Sequence, residues 1–535
     1  MAINFVFILL FSGILSFFAP KKHVAYLCHL LILGAFGYGI AALSDCFATP
    51  DLTVMWEAMP NFHVLLNIVP VAQTKVLALG LLIFGAVSVM YNITSAEEQS
   101  KSFLNGLVVF NIVLLLVALC STNYFQLLAA IGMADVVVYS MLNSYEAKRQ
   151  YIYGNFLADF LLLNIFAIIL GQHDNIEIVD SGGYSTDWHH RDYIAIILLT
   201  CILIKSGMAF FHSAYQKMSP LSANRLNFIL FMTTPLMGAV ILNTLQDVLD
   251  ISRYSLPIIR IFAILTILWG ACGTFVMYNN HRKCSYMAMV FWGLYFCAFS
   301  WLSSINPLSF LMFLGMAYLF NTVLSNVGSS MQGKIPVITM LVAAIGYMLA
   351  WWNFSGTNII LAIAGEGVIF MLTAHVASTY KNSTIQSILP AISRLWLYIT
   401  IIGGTSAVFY LIPDILRLLP HIVVIAIFWC IVATHNPFAY RIEKFNTENI
   451  QTGDITTSIY ETMLLAPLQI TGRVLRLTID IVFLERTVIS SIKNAIRFLI
   501  YIFRRLHSNS VLSGIIFSLL GALIIAFAYY NGVVK

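Results

Sequence analysis

The sequence predicts an all-α polytopic membrane protein of about sixteen transmembrane helices, with an amphipathic lateral helix before the last span. Three observations predict it. Of 535 residues, 60% are hydrophobic and 10% charged, with a mean hydropathy of +0.88, whereas soluble domains carry about a quarter charged residues. Apolar runs near the ~20 residues that cross a bilayer recur along the chain. Lysine and arginine gather in alternate loops, as they do when those loops share one side of a membrane.

The first run, 2–20, lacks a basic segment ahead of it and a small-residue cleavage pattern, and Lys21 and Lys22 follow at once. It is expected to remain as the first helix, not to leave as a signal peptide. The next spans are expected at 23–44, 73–94, 103–121, 122–143, 154–171, 193–212, 225–245 and 255–278. Those at 284–304, 306–327, 335–352, 357–379, 394–412, 418–434 and 511–531 complete the set. Ser121-Thr122-Asn123 and Asn306-Pro307 supply the turn signals inside the two tightest pairs.

The odd loops hold Lys21, Lys22, Lys101, Lys148, Arg149, Lys217, Arg282, Lys283, Lys334, Lys381 and Arg394, with Arg225 at an edge. The even loops hold little beyond Lys75, Arg191, Arg253 and Arg417, and the sixth is acidic through Asp174, Glu177, Asp180, Asp187 and Asp192. This asymmetry accounts for the net charge of +5, supports the parity of the span count, and places both termini outside.

After His435 a polar segment, 441–458, precedes a run to about His507 in which Arg473, Arg476, Arg486, Lys493, Arg497, Arg504 and Arg505 interrupt apolar residues at helical spacing. Such a run is expected flat on the membrane, reaching about 70 Å at 1.5 Å per residue. The competing reading is two short further spans. The expected organisation is N-terminal helices over 1–95, a first helix repeat over 96–245, a second repeat and following helices over 246–434, the loop and lateral segment over 435–510, and a terminal anchor over 511–535.

Soluble-enzyme motifs are absent, and the eight cysteines lie scattered with no metal-ligand spacing, so they read as packing residues. No catalytic residue, cofactor, metal or nucleic-acid site is expected on this chain.

One charge stands out. Lys205 lies in the middle of the apolar run 193–212, where a lysine costs a few kcal/mol or more and by default faces a bundle interior or an ion path. Asp135 and Asp159 are its candidate partners; the alternative is a fixed ion pair that holds the fifth, sixth and seventh spans together. Glu366, between Gly365 and Gly367, is a further mid-span acid. His212, His375 and His421 lie nearer span ends, and His212 joins the proton-path candidates. Trp351, Trp352, Tyr529 and Tyr530 are expected in the interfacial belt.

Lys205-Ser206-Gly207, followed thirteen residues later by Pro220-Leu221-Ser222-Ala223, resembles the KSA…PVSA signature of the largest antiporter-like membrane subunit of respiratory complex I. Related families are the Mrp-type antiporter subunits and the membrane subunit of inorganic-carbon uptake modules. The likeness extends through Glu97-Glu98, Phe103, Asn111, Asn123 and Gly132, Asp159, His281 to Tyr286, Ile335-Pro336, and Ile459-Tyr460-Glu461 with Pro467. It implies a lysine whose proton is loaded and released as a nearby acid's charge moves. It also implies a subunit of a proton-translocating NADH:quinone oxidoreductase in a bacterial or mitochondrial inner membrane, with redox groups on partner subunits and lipid around it. An inorganic-carbon uptake role and a non-conducting paralogue are the alternatives.

The chain departs from that pattern. The family's fifth-span glutamate falls on Ala134, with an acid one residue later at Asp135, a shift of about 100° around a helix. The eighth-span histidine has only Asn224, Arg225 and Asn227 nearby, the eleventh-span pattern aligns with Met316 and Phe320, and the twelfth-span lysine region offers Asn353 and Asn358. The exit half of the implied path is largely neutral.

Overall fold

The computed structural model describes residues 5–18, 22–44, 53–59, 62–67, 72–94, 101–173, 178, 191–218, 221–250, 252–276, 280–302, 306–330, 334–355 and 358–380. The expected spans 394–412, 418–434 and 511–531, the lateral helix, His421, Tyr529 and Tyr530 lie outside them. Every described residue belongs to one compact unit within Met1–Tyr460.

The chain opens with α1 (Phe5–Phe17) and α2 (Lys22–Leu43), then a hairpin of β1 (Thr53–Met59) and β2 (Phe62–Asn67), then α3 (Ala72–Thr94). The helices α4 (Lys101–Leu119), α5 (Tyr124–Met141), α6 (Tyr145–His173) and α7 (Arg191–Lys205) follow. Next come α8 (Ser213–Lys217), α9 (Ala223–Met232), α10 (Thr234–Thr244), α11 (Gln246–Asp250), α12 (Ser255–Val276) and α13 (Asn280–Trp301). The last described helices are α14 (Pro307–Ser330), α15 (Lys334–Ser355) and α16 (Ile359–Tyr380). Among the described residues, nine helical segments, counting Ala223–Thr244 as one, are long and apolar enough to cross a membrane.

The described residues are otherwise helical; a short hairpin stands between α2 and α3. Its strands pair antiparallel from Thr53 opposite Asn67 to Met59 opposite Phe62. The segment is rich in strand formers, and Pro60-Asn61 at its centre opposes a continuous helix.

The turns expected at the tight pairs are present. Asn123 caps α5 by accepting from the Gln126 amide at 2.7 Å, and the Asn306 side chain accepts from the Leu308 amide at 3.0 Å ahead of Pro307. Several loop assignments differ. Helix α6 begins at Tyr145 and α13 at Asn280, so Lys148, Arg149, Arg282 and Lys283 sit on helices, not in loops, and Lys22, Lys75, Lys101, Arg191, Lys217 and Lys334 likewise lie at or near helix ends; Lys283 is buried. Hydropathy places a boundary where charge begins, while the backbone continues helical beyond it.

Two expected spans are broken. The run 193–212 is helical only to Lys205: the Met208 amide bonds the Leu203 carbonyl at 3.2 Å and the Gly207 amide the Ile204 carbonyl at 3.1 Å, a Schellman closure around a left-handed Gly207 at φ 61°. A Cβ at position 207 would fall on the Tyr215 ring. Phe210, at φ 74°, prolongs the irregular segment. The run 225–245 breaks at Thr233 because Pro235 has no amide to continue the ladder. The freed Met232 carbonyl is taken by Asn111 Nδ2 at 2.6 Å.

Helices α9, α10, α13 and α14 are almost wholly buried, and aromatic rings such as Phe291, Phe313 and Tyr347 fill the space between them. Large apolar side chains on α1, α2 and α12, among them Phe11, Leu30 and Ile261, point outward. That distribution is compatible with a helical bundle surrounded by acyl chains. Trp351 does not join an interfacial belt. It is fully buried against Phe313 and Phe354, and its indole N–H donates to the Ala362 carbonyl at 3.1 Å. It is buried although near a helix end because α16 packs against α15 there.

Candidate functional site

Helices α5, α6 and α7 converge on Lys205. Its side chain is fully buried, its ammonium hydrogen-bonds Asp135 Oδ2, and it pairs with Asp159 Oδ1 at 2.6 Å. The structure therefore unites the three foremost sequence candidates in one cluster. Ala134, where the resemblance put the glutamate, is buried in the apolar core, and the adjacent Asp135 reaches the lysine instead.

A hydroxyl shell supports the triad. The Tyr151 hydroxyl donates to Asp135 Oδ1 at 2.9 Å and lies 2.5 Å from Thr234 Oγ1. Having spent its proton on the carboxylate, Tyr151 accepts from the threonine. The Tyr215 hydroxyl donates to the Lys205 carbonyl at 3.1 Å, satisfying an acceptor that the end of α7 leaves open. Thr234 is available because α9 and α10 separate there. Both helix breaks thus border the triad, and a lysine in the last turn of α7 is favoured by the partial negative charge of a helix C-terminus.

The two carboxylates are not sealed. Their side chains are 14% (Asp135) and 22% (Asp159) exposed, against 0% for Lys205. Around them α5 and α6 show outward apolar residues, including Met133, Val136, Phe156 and Phe160.

Other candidates lie elsewhere. Glu366 is half-buried on α16, a helix packed on α15 and α12. His212 is fully buried between the Trp269 and Tyr286 rings, with ring-centre distances of 5.8 and 6.2 Å, and among the described residues neither ring nitrogen has a hydrogen-bond partner. His375 lies on α16. Met316 and Phe320 are buried apolar residues, Phe320 stacking on Tyr347.

A second polar system consists of neutral side chains at helix ends. Asn224 donates to Asn92, Asn92 to Asn105 at 2.9 Å, and Asn105 Nδ2 meets His29 Nδ1 at 3.2 Å. Asn227 donates to Ser325 at 2.8 Å and accepts from Asn321 at 3.0 Å, which also donates to the Cys284 carbonyl. Sequence reading missed this network, and with it Tyr151, Thr234 and Tyr215. Only one signal was present: Tyr151, Asn155 and Asp159 recur every fourth residue, placing them along one stripe of α6.

The chain matches no family model, and no curated protein is detectably similar to it.

Proposed function

We propose that this chain is an ion-translocating membrane subunit in which Lys205, between Asp135 and Asp159, takes up and releases a proton. The observation that carries this reading is a buried ammonium shared by two partly open carboxylates where two helices break. Breaks of this kind free backbone groups at membrane depth and are tolerated where they are buried in protein or line a water-filled cavity, and transporters place such breaks at their ion sites. Lys205 is held by both acids at once, so its proton is retained by two negative charges. Movement of charge at either acid then changes the proton's hold on the lysine. No redox or hydrolytic group is assigned to this chain. In keeping with the resemblance to antiporter-like subunits, energy is supplied by partner subunits in a complex of the NADH:quinone oxidoreductase type.

A second reading, a non-conducting scaffold, rests on a specific observation: the aligned exit-side positions Met316 and Phe320 are buried among aromatic residues. Proton translocation by the native complex in proteoliposomes separates the two. Assembled Lys205→Ala complex is expected to lose translocation; unchanged pumping removes the proposal and leaves the scaffold. Mass spectrometry of the purified complex identifies the subunits that supply the energy.

A further inference from the structure

A second cation lies inside a membrane-length helix. Arg260 falls within the apolar stretch Ser255–Thr274 of α12, roughly 7.5 Å along the axis from the start of that helix. Its guanidinium is fixed in place: Nε and Nη2 both donate to the Ser300 carbonyl, at 3.2 and 2.7 Å, and Cζ stands 4.8 Å from the centre of the Trp301 ring. The Ser300 carbonyl is one that the C-terminal end of α13 leaves open, so the arginine caps that helix. Capping does not exhaust it. The N–H groups of Nη1 have no acceptor among the described residues, and no described carboxylate pairs with the charge.

The surface beside it suits acyl chains. Ile261, Ile264, Leu265 and Leu268 are 58, 48, 38 and 57% exposed, and Trp301 is 54% exposed. The four aliphatic positions recur at helical spacing and so form one outward stripe, and Ile264 lies one turn on from Arg260 on the same face. An arginine at the head of such a stripe extends its charge toward the interface. The anion that meets it there is the phosphate of a lipid, and a tryptophan beside it is the usual mark of that level. A zwitterionic headgroup brings its own cation to the phosphate. An anionic one leaves its charge to the arginine.

We propose that Arg260, steadied by Trp301, holds the phosphate of one anionic phospholipid, with an acyl chain of that lipid along the stripe from Ile261 to Leu268. The inference rests on α12 crossing the membrane, and not on Lys205 moving protons. Two features together choose the occupant. The spare donors of a fixed guanidinium suit a phosphodiester, and the apolar stripe suits a chain that a free phosphate ion lacks. Arg253 is a built-in contrast: it is exposed, donates to the Tyr254 hydroxyl at 2.6 Å, and already has Asp192 as a counter-charge.

The test is quenching of Trp301 emission in the full-length chain reconstituted in phosphatidylcholine vesicles, with the emission of Trp301→Phe subtracted to remove the other tryptophans. Phosphatidylglycerol brominated on its chains should quench at about one-fifth of the mole fraction that brominated phosphatidylcholine needs, the preference one arginine gives to an anionic lipid. In Arg260→Gln the two lipids should quench alike, while Arg253→Gln should keep the wild-type preference. Equal quenching of the wild type by both lipids, a preference retained in folded Arg260→Gln, or one lost in Arg253→Gln overturns the site. Quenching by neither lipid would remove the membrane placement of α12 with it. If Arg260→Gln does not fold, competition on the wild type decides: unbrominated phosphatidylglycerol should restore the emission at a lower mole fraction than unbrominated phosphatidylcholine, and equal restoration overturns the site. Inorganic phosphate should restore nothing; restoration by it would mark a free-anion site and end the lipid proposal.

Discussion

At the scale of the residue, Lys205 separates two things an ion pair can do. Removing only the lysine leaves two acids facing each other in a low-dielectric site, and breaking such a buried pair costs about 3–5 kcal/mol. Lys205→Met should therefore both stop translocation and lower the melting temperature in detergent. The triple variant Asp135→Asn, Asp159→Asn, Lys205→Met removes every charge at similar volume, and buried ion clusters replaced by neutral groups of like shape are often as stable as the original. Its melting temperature should return toward wild type while translocation stays lost. Recovery of both would make the triad structural. Tyr151→Phe is a milder probe: it deletes a hydroxyl bonded to Asp135, so a stability loss of about 1–3 kcal/mol is expected, with translocation slowed but not stopped. The charged members of this cluster were legible because a lysine in an apolar run is rare and expensive. Its hydroxyl members were not, since tyrosine and threonine are ordinary residues in membrane helices and only the fold brings Tyr151 to Asp135 and Thr234 to Tyr151.

At the scale of the element, the break after Lys205 shows what hydropathy does not see. The run 193–212 is predominantly apolar, with Lys205 its one residue charged at neutral pH if His212 is neutral, so a hydropathy window over it reads as one span. What ends the helix is backbone conformation, Gly207 at φ 61° with the Tyr215 ring where a Cβ would go. A glycine in an apolar run is common enough that nothing in the sequence distinguishes this one. Pro235, by contrast, was a visible signal for the break between α9 and α10. The prediction is specific to the first break. Gly207→Ala requires a left-handed alanine, costing about 1–2 kcal/mol, and displaces Tyr215 from the Lys205 carbonyl. It should lower the melting temperature and impair translocation together. Gly132→Ala, where a Cβ meets nothing within 4 Å, should leave the melting temperature unchanged or raise it slightly.

At the scale of the whole molecule, helix-end hydrogen bonds test the order of the spans independently of charge. The ends beside the first and third loops meet through His29 and Asn105, and the third and seventh through Asn92 and Asn224. Arg225 bonds Asn143 at 2.9 Å, joining the seventh loop to the fifth, and Asn321 bonds the Cys284 carbonyl at 3.1 Å, joining the eleventh to the ninth. On the opposite face the Ile178 amide reaches the Thr122 carbonyl at 2.7 Å, Ser252 reaches Asp192 at 2.6 Å, and Arg260 reaches the Ser300 carbonyl. Odd loops meet odd loops and even meet even, as the alternation of lysine and arginine requires, even though several of those charges sit on helices. A charge within a turn of a helix end still reports its side, so the expected parity does not depend on the exact boundaries. If the odd face is the cytoplasmic or matrix side, cysteines placed at Lys148 and Lys217 in sealed, inside-out vesicles should react with a membrane-impermeant maleimide above the wild-type background. A cysteine at Arg253, beside the even-face bond of Ser252, should react only in right-side-out vesicles. Labelling of Lys217→Cys and Arg253→Cys from the same side would contradict the parity, because the intervening segment would then cross the membrane an even number of times.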